Sequence, residues 1–305
     1  MDKKILLNGS DITSKIELSG CNLYDRLGGS KDNLKMQFPY DCEVTLNKND
    51  ELEITADRYS TGKMYIIGCD GVNNNTSCLI NAVSCKSTSK EKRSRILTNI
   101  TLHQIINDVA KKCGLSVELY DVSNFTYKSV CQLNETDLQF LNRLCLREGY
   151  SVKIDNGKLV VFNDYSLENN YEPLKLEKAQ GSEANLVRTE NGCRSVTVRC
   201  YDIENNKLIS YTAIDETVDG GSETIVEIVT SIGEAERFAK GYLRSRNNML
   251  LTGNIKIPFN DEISAGTVLE LTDYDDYNGK YIVYEVIHDI VNENTYLYFR
   301  KILDY

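Results

Sequence analysis

Residues 266–290 read GTVLELTDYDDYNGKYIVYEVIHDI. A short strand, Leu269-Glu270-Leu271-Thr272, is followed after six residues by Gly279-Lys280 and then by the Tyr/Ile-rich strand YIVYE. Residues 52–68, LEITADRYSTGKMYIIG, repeat that plan: Leu52-Glu53-Ile54-Thr55, six residues, Gly62-Lys63, then MYIIG. Upstream, Phe38-Pro39-Tyr40 parallels Ile257-Pro258-Phe259, and two of the chain's three prolines sit at these matched places. The upstream spacing differs by two residues, which a loop tolerates at little entropic cost. The echo predicts two similar β-barrels, because closing a sheet on itself removes the unpaired edges that invite aggregation.

The strands outside the echo are consistent with this plan. KILLN, KIELSG, LKMQF, CEVTL, LEITA, KMYIIG and CLINAVSC are short alternating or apolar runs, separated by NGSD, RLGGSKDN, NKNDE and DGVNNNTS. Many short strands between polar turns indicate a barrel or sandwich over residues 1–90. KSTSKEKRSR (86–95) reads as a polar, basic connecting arm. A small α/β unit is expected over 91–170, and a second barrel carrying one helix, about 232–247, over 171–305. A polar link is expected near 166–185. The closing strands are GNIKIPF, GTVLELTD, GKYIVYEVIHDIV and TYLYFRKIL, preceded by RSVTVRCYD, KLISYTAID and GGSETIVEIV.

The middle unit is legible in its caps and stripes. Thr101 and Gln104 form a capping box. Leu102, Ile105, Ile106, Val109, Ala110 and Cys113 follow at helical spacing, and Gly114 supplies the left-handed stop. A second helix is expected from Glu135 to Glu148, with Asn134 as N-cap, Leu138, Leu141, Leu144 and Cys145 on one face, and Gly149 at its end. YSVKIDNGKLVVF then reads as a hairpin turning on Asp155-Asn156-Gly157. Ser231 and Glu234 suggest a third capping box, ahead of Ala235, Phe238, Ala239, Tyr242 and Leu243.

Composition narrows the function. The 305 residues are 41% hydrophobic and 26% charged, ordinary for a folded chain, with 19 Tyr and no Trp. No apolar run reaches the roughly 18 residues of a membrane-spanning helix, and the start lacks a secretory apolar segment, so cytoplasmic synthesis without membrane insertion is expected. The net charge of −10 argues against stable nucleic-acid binding through a basic patch. Acidic residues concentrate after Asn260, where Asp273, Asp275 and Asp276 crowd one loop. A channel-facing role for them would repel phosphates, and a solvated outer face is the simpler reading. The ten cysteines contain no CxxC pair and read as free, largely buried thiols.

No constellation for chemistry stands out. His103 opens a helix, and His288 alternates with Val286 and Ile290 in a strand. Neither has a Cys or His at metal spacing. There is no GxSxG turn, P-loop or GxGxxG. The Asp273 loop lacks the spacing of an EF-hand and reads as a hairpin loop more simply than as a glycosidase pair. No catalytic, cofactor-binding or metal-binding residue is nominated, and no cofactor is expected.

ITLHQIINDVAKKCGLSVEL (100–119) followed by QLNETDLQFLNRLCLREGYSVKIDNGKLVVF (132–162) resembles the phage late-control D family, which overlaps with the baseplate hubs of contractile tails and the hub part of VgrG spikes. Glu135, Asp137, Phe140, Leu141, Arg143, Leu144 and Gly149 match its "E-x-D-x-x-F-L-x-R-L-x-x-x-x-G" helix. SIGEAERFAKGYLRSR, then GNIKIPF, AGTVLEL and NGKYIVYEVIHDI, ending in TYLYFRKIL, carry the rest of the likeness, with Ala265, Gly266, Gly279, Tyr281, Val283 and His288 as matching positions. The resemblance covers residues 96–165 and 231–303. It implies a non-enzymatic homotrimer between a hexameric tail tube and a trimeric spike, with tape-measure and baseplate wedge proteins as further partners, in a phage tail or a bacteriocin-like particle. The last barrel strand lies close to Tyr305, so the spike is expected to be a separate protein. Two other classes remain open: a tail-associated wall-degrading enzyme, which turnover of cell wall would reveal, and a surface-binding β module.

Overall fold

The structure is a computed structural model that describes residues 3–28, 31–39, 42, 44–72, 77–85, 91–177, 184–190 and 192–305. The first region holds β1 (Lys3–Leu7), β2 (Ser10–Asp11), β3 (Gly20–Arg26), β4 (Asn33–Pro39), β5 (Glu51–Ala56), β6 (Tyr59–Ser60), β7 (Met64–Val72) and β8 (Ser77–Val83). The middle holds β9 (Lys92–Thr101), α1 (Leu102–Cys113), β10 (Ser116–Tyr120), β11 (Thr126–Thr136), α2 (Asp137–Arg147), β12 (Tyr150–Asp155), β13 (Lys158–Asn163) and α3 (Asp164–Asn170). The last holds β14 (Leu174–Glu177), β15 (Asn185–Arg188), β16 (Gly192–Asp202), β17 (Lys207–Ile214), β18 (Gly220–Val226), α4 (Ile232–Asn247), β19 (Leu251–Pro258), β20 (Val268–Thr272), β21 (Gly279–Asp289) and β22 (Asn294–Lys301). The chain is mostly β.

The sheets differ from the expected pair of barrels. Strands from both ends of the chain merge into one 14-stranded sheet, ordered β15-β19-β22-β21-β3-β4-β8-β7-β5-β1-β2 along its main path. Among the described residues that path does not close. The join is β3 against β21, and β3 is a strand that the sequence did not announce, since GCNLYDR carries Asp25 and Arg26 inside it. Of CEVTL, Cys42 and residues 44–46 lie outside any strand, and in KIELSG only Gly20 belongs to one. In the arm 86–95, residues 92–95 belong to β9, which pairs with β11 (residues 86–90 lie outside the described ones). The expected link after 166 holds α3 and β14.

Three cores follow. One lies under β1–β8, one under β14, β15 and β19–β22, and one in the middle. The middle core takes Val196, Val198, Ile209, Ala213, Phe238 and Leu243 as well as the stripes of α1 and α2. Residues 192–247, expected within a second barrel, therefore pack with the α/β unit. Their β16–β18 sheet is separate from the large one, and α4 covers it. Gly241 lets α4 touch the end of α2: a Cβ there would stand 2.3 Å from the Arg147 carbonyl oxygen.

The helix ends show what the cap residues do. Thr101 Oγ1 accepts from Gln104 N at 3.2 Å, and Gln104 Oε1 accepts from Thr101 N at 2.9 Å, closing the box. At α2 the box is Thr136 with Gln139, and Asn134 instead takes φ 50 beside an irregularity in β11. Asn serves caps and left-handed bulge positions alike, which is why the sequence misplaced the start. At α4, Ser231 Oγ accepts from Glu234 N, but Glu234 returns its carboxylate to Thr230. Gly114 and Gly149 have φ 69 and 76, the left-handed stops the sequence implied.

Candidate assembly surface

Each end of the chain builds one five-stranded antiparallel unit, β3-β4-β8-β7-β5 and β15-β19-β22-β21-β20. Their registers coincide. Leu52 faces Met64 as Leu269 faces Tyr281, a constant offset of 217 residues. Tyr65 faces Val83 and Gly71 faces Cys78, as Ile282 faces Arg300 and His288 faces Thr295. Each hairpin carries a bulge at the same step, Ile66/Gly68 and Val283/Glu285. Met36 faces Ile80 as Ile255 faces Leu297, and Leu23 faces Leu34 as Leu186 faces Gly253. The turn before the second strand matches as well. Ile66 N donates to Asp50 O and Asn49 N to Ile66 O, while Val283 N donates to Thr267 O and Gly266 N to Val283 O. Asn49 and Gly266 both have positive φ, 72 and 103.

Packing follows the register. Leu52, Ile54, Met64, Ile66 and Ile80 are buried, as are Leu269, Leu271, Tyr281, Val283 and Leu297. Where sizes differ, they compensate across strands. Leu34 faces Ala82 in the first unit, and Gly253 faces Phe299 in the second. A Cβ at Gly253 would sit 2.5 Å from the Phe299 ring, so the small residue makes room for the large one and the pair keeps its volume.

The two units meet where β3 pairs with the second half of β21. Glu285, Val286, Ile287, His288 and Asp289 face Arg26, Asp25, Tyr24, Leu23 and Asn22. Leu27 N donates to Tyr284 O and Ile290 N to Cys21 O, both at 2.9 Å. Arg26 and Glu285 pair across the joint at 2.8 Å. Asp25 accepts from Ala265 N at 2.8 Å and also pairs with Lys153 of β12, so the middle unit is tied to the same seam. Burial, and then the charge of Asp25, pushes the neighbouring Asp32 carboxyl up to about 8.

His288 is 0% exposed within this joint. Its Nδ1 lies 3.2 Å from Thr295 Oγ1 and its Nε2 3.2 Å from Ile263 O, with Tyr59 of the first unit 4.4 Å from its ring. Burial pulls its pKa down to about 4, so the ring is neutral packing. His103 Nε2 lies 3.0 Å from Val122 O. The two histidines lie on different elements, α1 and β21, and among the described residues no three His, Cys, Asp or Glu side chains gather as a metal site. Asp273 and Asp275 hold left-handed backbone, φ 67 and 53, around a 3-10 turn at Asp275–Tyr277. The ten cysteines are all free.

The family-like helix owes its pattern to packing. Glu135 accepts two bonds from Arg143, at 3.1 and 2.9 Å, and Asp137 pairs with Arg95 at 3.1 Å. Phe140, Leu141 and Leu144 are fully buried.

The comparisons agree with this architecture. The 43 kDa tail protein of prophage MuSo2 from Shewanella oneidensis is 12% identical, with a TM-score of 0.76 over 99% of this chain and 98% of that one. A tail protein from Neisseria meningitidis is 11% identical, with a TM-score of 0.78 over 98% and 96%. The E. coli c3393 protein, a component of the type VI secretion system, is 11% identical, with a TM-score of 0.64 over 99% and 78%. No curated protein matches. The sequence model of the phage tail baseplate hub (GPD) family matches residues 84–294. With more than half its length matched, the chain belongs to the phage tail baseplate hub family.

Proposed function

We propose that the chain is the central hub of a contractile tail or tail-derived particle, assembled as a homotrimer that adapts a sixfold tail tube to a threefold spike. The observation that carries this reading is the shared register of the two five-stranded units. A tube ring with six equal subunits needs six similar contacts. Three copies of a chain with two matched units supply them, and the middle unit, present once per chain, keeps the true symmetry threefold. Each unit is then one sixth of a tube wall, and the sheet that does not close among the described residues of one chain closes in the ring. Closed cyclic assembly also avoids the open growth of a head-to-tail contact.

The role is mechanical and calls for no catalytic residue. The acidic loop at Asp273, Asp275 and Asp276 is proposed to face the channel mouth, and a particle map placing it on the outer wall would refute that part alone. Native mass measurement of the hub released with its spike tests the stoichiometry: three hub chains are expected, and two or six would overturn the reading.

A further inference from the structure

One cavity lies where the middle unit, α4 and the second five-stranded unit meet. Its volume is about 220 Å³, whereas a single water needs roughly 10–15 Å³. Asp164 of α3, Arg244 of α4 and Arg300 of β22 all stand in its wall. Each of the three carries a side-chain atom that is closed to solvent and has no hydrogen-bond partner among the described residues: Asp164 Oδ1, Arg244 Nε and Arg300 Nη1. Their neighbouring atoms are engaged. Arg244 Nη1 donates to Tyr305 O and Arg244 Nη2 to Glu168, while Arg300 Nη2 stands 2.7 Å from Glu168 Oε1. The Ser151 hydroxyl of β12 hydrogen-bonds to the same Asp164 carboxyl.

Burying a polar group without a partner is costly, most of all when it is charged. Two of the three unpaired atoms are guanidinium donors, which keep their charge at any ordinary pH. The third is a carboxylate oxygen, which accepts. A ligand that pairs all three offers acceptor oxygens to the arginines and a hydroxyl proton to Asp164. We propose that the cavity binds one small anion that still carries a proton, hydrogen phosphate being the simplest, with its oxygens on Arg244 and Arg300 and its hydroxyl on Asp164. The site lies within one chain and does not depend on the hub reading. A ligand there meets α3, α4 and β22 at once, and so braces the middle unit against the second five-stranded unit.

The proton decides selectivity. Sulfate has the same tetrahedral shape and the same acceptor oxygens, but no hydroxyl near neutral pH, so one of its oxygens would stand against the Asp164 carboxylate. Burial, opposed by the charges of Arg244 and Arg300, raises the Asp164 carboxyl to about 6. Above that pH the group is ionised and needs a donor. Below it, the group carries the proton itself and donates. Sulfate therefore binds only as pH falls through about 6, whereas phosphate brings its own proton and binds on both sides. The other groups facing Asp164 leave this sign unchanged. Glu168 on the same helix is paired with both arginines. Tyr284 of β21 and Tyr150 of β12 are held neutral by burial. The residues that α2 and the turn after β3 present to the cavity are uncharged.

Titration calorimetry of the full chain with inorganic phosphate and with sulfate, in a buffer free of both, is the test. At pH 7.5 one phosphate per chain is expected, with sulfate about tenfold weaker or worse, and at pH 5.5 the gap should narrow. Phosphate should also raise the melting midpoint saturably, since it binds the folded chain alone. Asp164→Asn supplies an amide donor at every pH, so at pH 7.5 it should bind sulfate about as well as phosphate. Arg300→Lys keeps a charge beside Glu168 but withdraws the fixed guanidinium donor, and should weaken phosphate about tenfold. Glycerol 3-phosphate carries the group on a larger molecule and should bind more weakly than the free ion; tighter binding would make the ligand a phosphate ester and overturn the free-ion assignment. If the parent chain takes up no phosphate at either pH, even at tens of millimolar, the cavity holds water alone and the proposal is overturned. Equal affinity for phosphate and sulfate at pH 7.5 overturns it too, because the ion is then held by charge without the shared proton. So does phosphate binding that neither variant alters, which puts the ion elsewhere. Where a variant fails to fold, the phosphate and sulfate comparison on the parent chain decides by itself.

Discussion

Glu168 is expected to be the residue whose loss costs the fold most. It lies on α3 with 0% exposure, between Arg244 of α4 and Arg300 of β22, and it accepts from Leu303 N at 3.1 Å. Arg300 Nη2 stands 2.7 Å from its second oxygen. Both guanidinium groups are nearly closed to solvent, at 6% and 5%. Glu168→Gln keeps the shape and removes the carboxylate that both arginines pair with directly, leaving the buried Asp164 carboxyl as another acid that both guanidinium groups act on. Breaking a buried ion pair from one side costs about 3–5 kcal/mol, because the remaining charge stays buried without compensation. That is roughly a hundredfold to a few thousandfold in the folding equilibrium. The assay is urea unfolding at neutral pH, followed by circular dichroism and by tyrosine fluorescence, since the chain has no Trp. Replacing the triad together (Glu168→Leu, Arg244→Met, Arg300→Leu) should recover most of the loss, as apolar packing often equals a buried triad. If Glu168→Gln unfolds within about 0.5 kcal/mol of the parent, the range of an ordinary surface change, the reasoning is refuted.

Further outcomes follow from the same geometry. Gly241→Ala should lose about 1–3 kcal/mol, because the atom it meets is the Arg147 backbone, which cannot turn aside; an unchanged urea midpoint would contradict the α2–α4 contact. Gly114→Val and Gly149→Val should each cost about 1 kcal/mol or more, since β-branched residues resist left-handed φ; thermal melts of both variants check this. Asp32 holds a proton in the folded chain up to about pH 8, whereas an unfolded Asp loses it near its ordinary value of 3.8. The fold thus binds the extra proton between those limits, so stability should be highest below them and fall as pH rises to about 8. Asp32→Asn should flatten that slope in melts taken between pH 5 and pH 9, and an unaltered slope would exclude Asp32 as its source. Thiol titration in denaturant without reductant should find ten reactive cysteines, and intact disulfides would contradict the structure.

The echo was legible in the sequence because it is a register and not just a composition. LEIT, six residues and Gly-Lys fix both the strand pair and the turn, and the matched prolines fix the neighbouring strand. The helices were legible through capping boxes and stripes, which are local. What the sequence hid was non-local. β3 holds Asp25 and Arg26 inside a strand because partners 240 and 259 positions away satisfy them. The polar look of residues 166–185 concealed Glu168, whose arginine partners lie 76 and more positions on. Residues 192–247 carry ordinary strand and helix patterns, and nothing local says which of three cores they join. The expected barrels fail for a related reason: among the described residues each unit leaves a strand edge without a partner, and nothing local in a sequence says what would close it.

The most direct measurement of the hub account is a reconstruction of the assembled particle at the level between tube and spike. The account predicts one ring of three chains, whose six five-stranded units stand in near-sixfold order with joints alternately within and between copies. A ring with any other number of chains, or one in which the units at residues 20–83 and 185–301 do not occupy equivalent places, would contradict it.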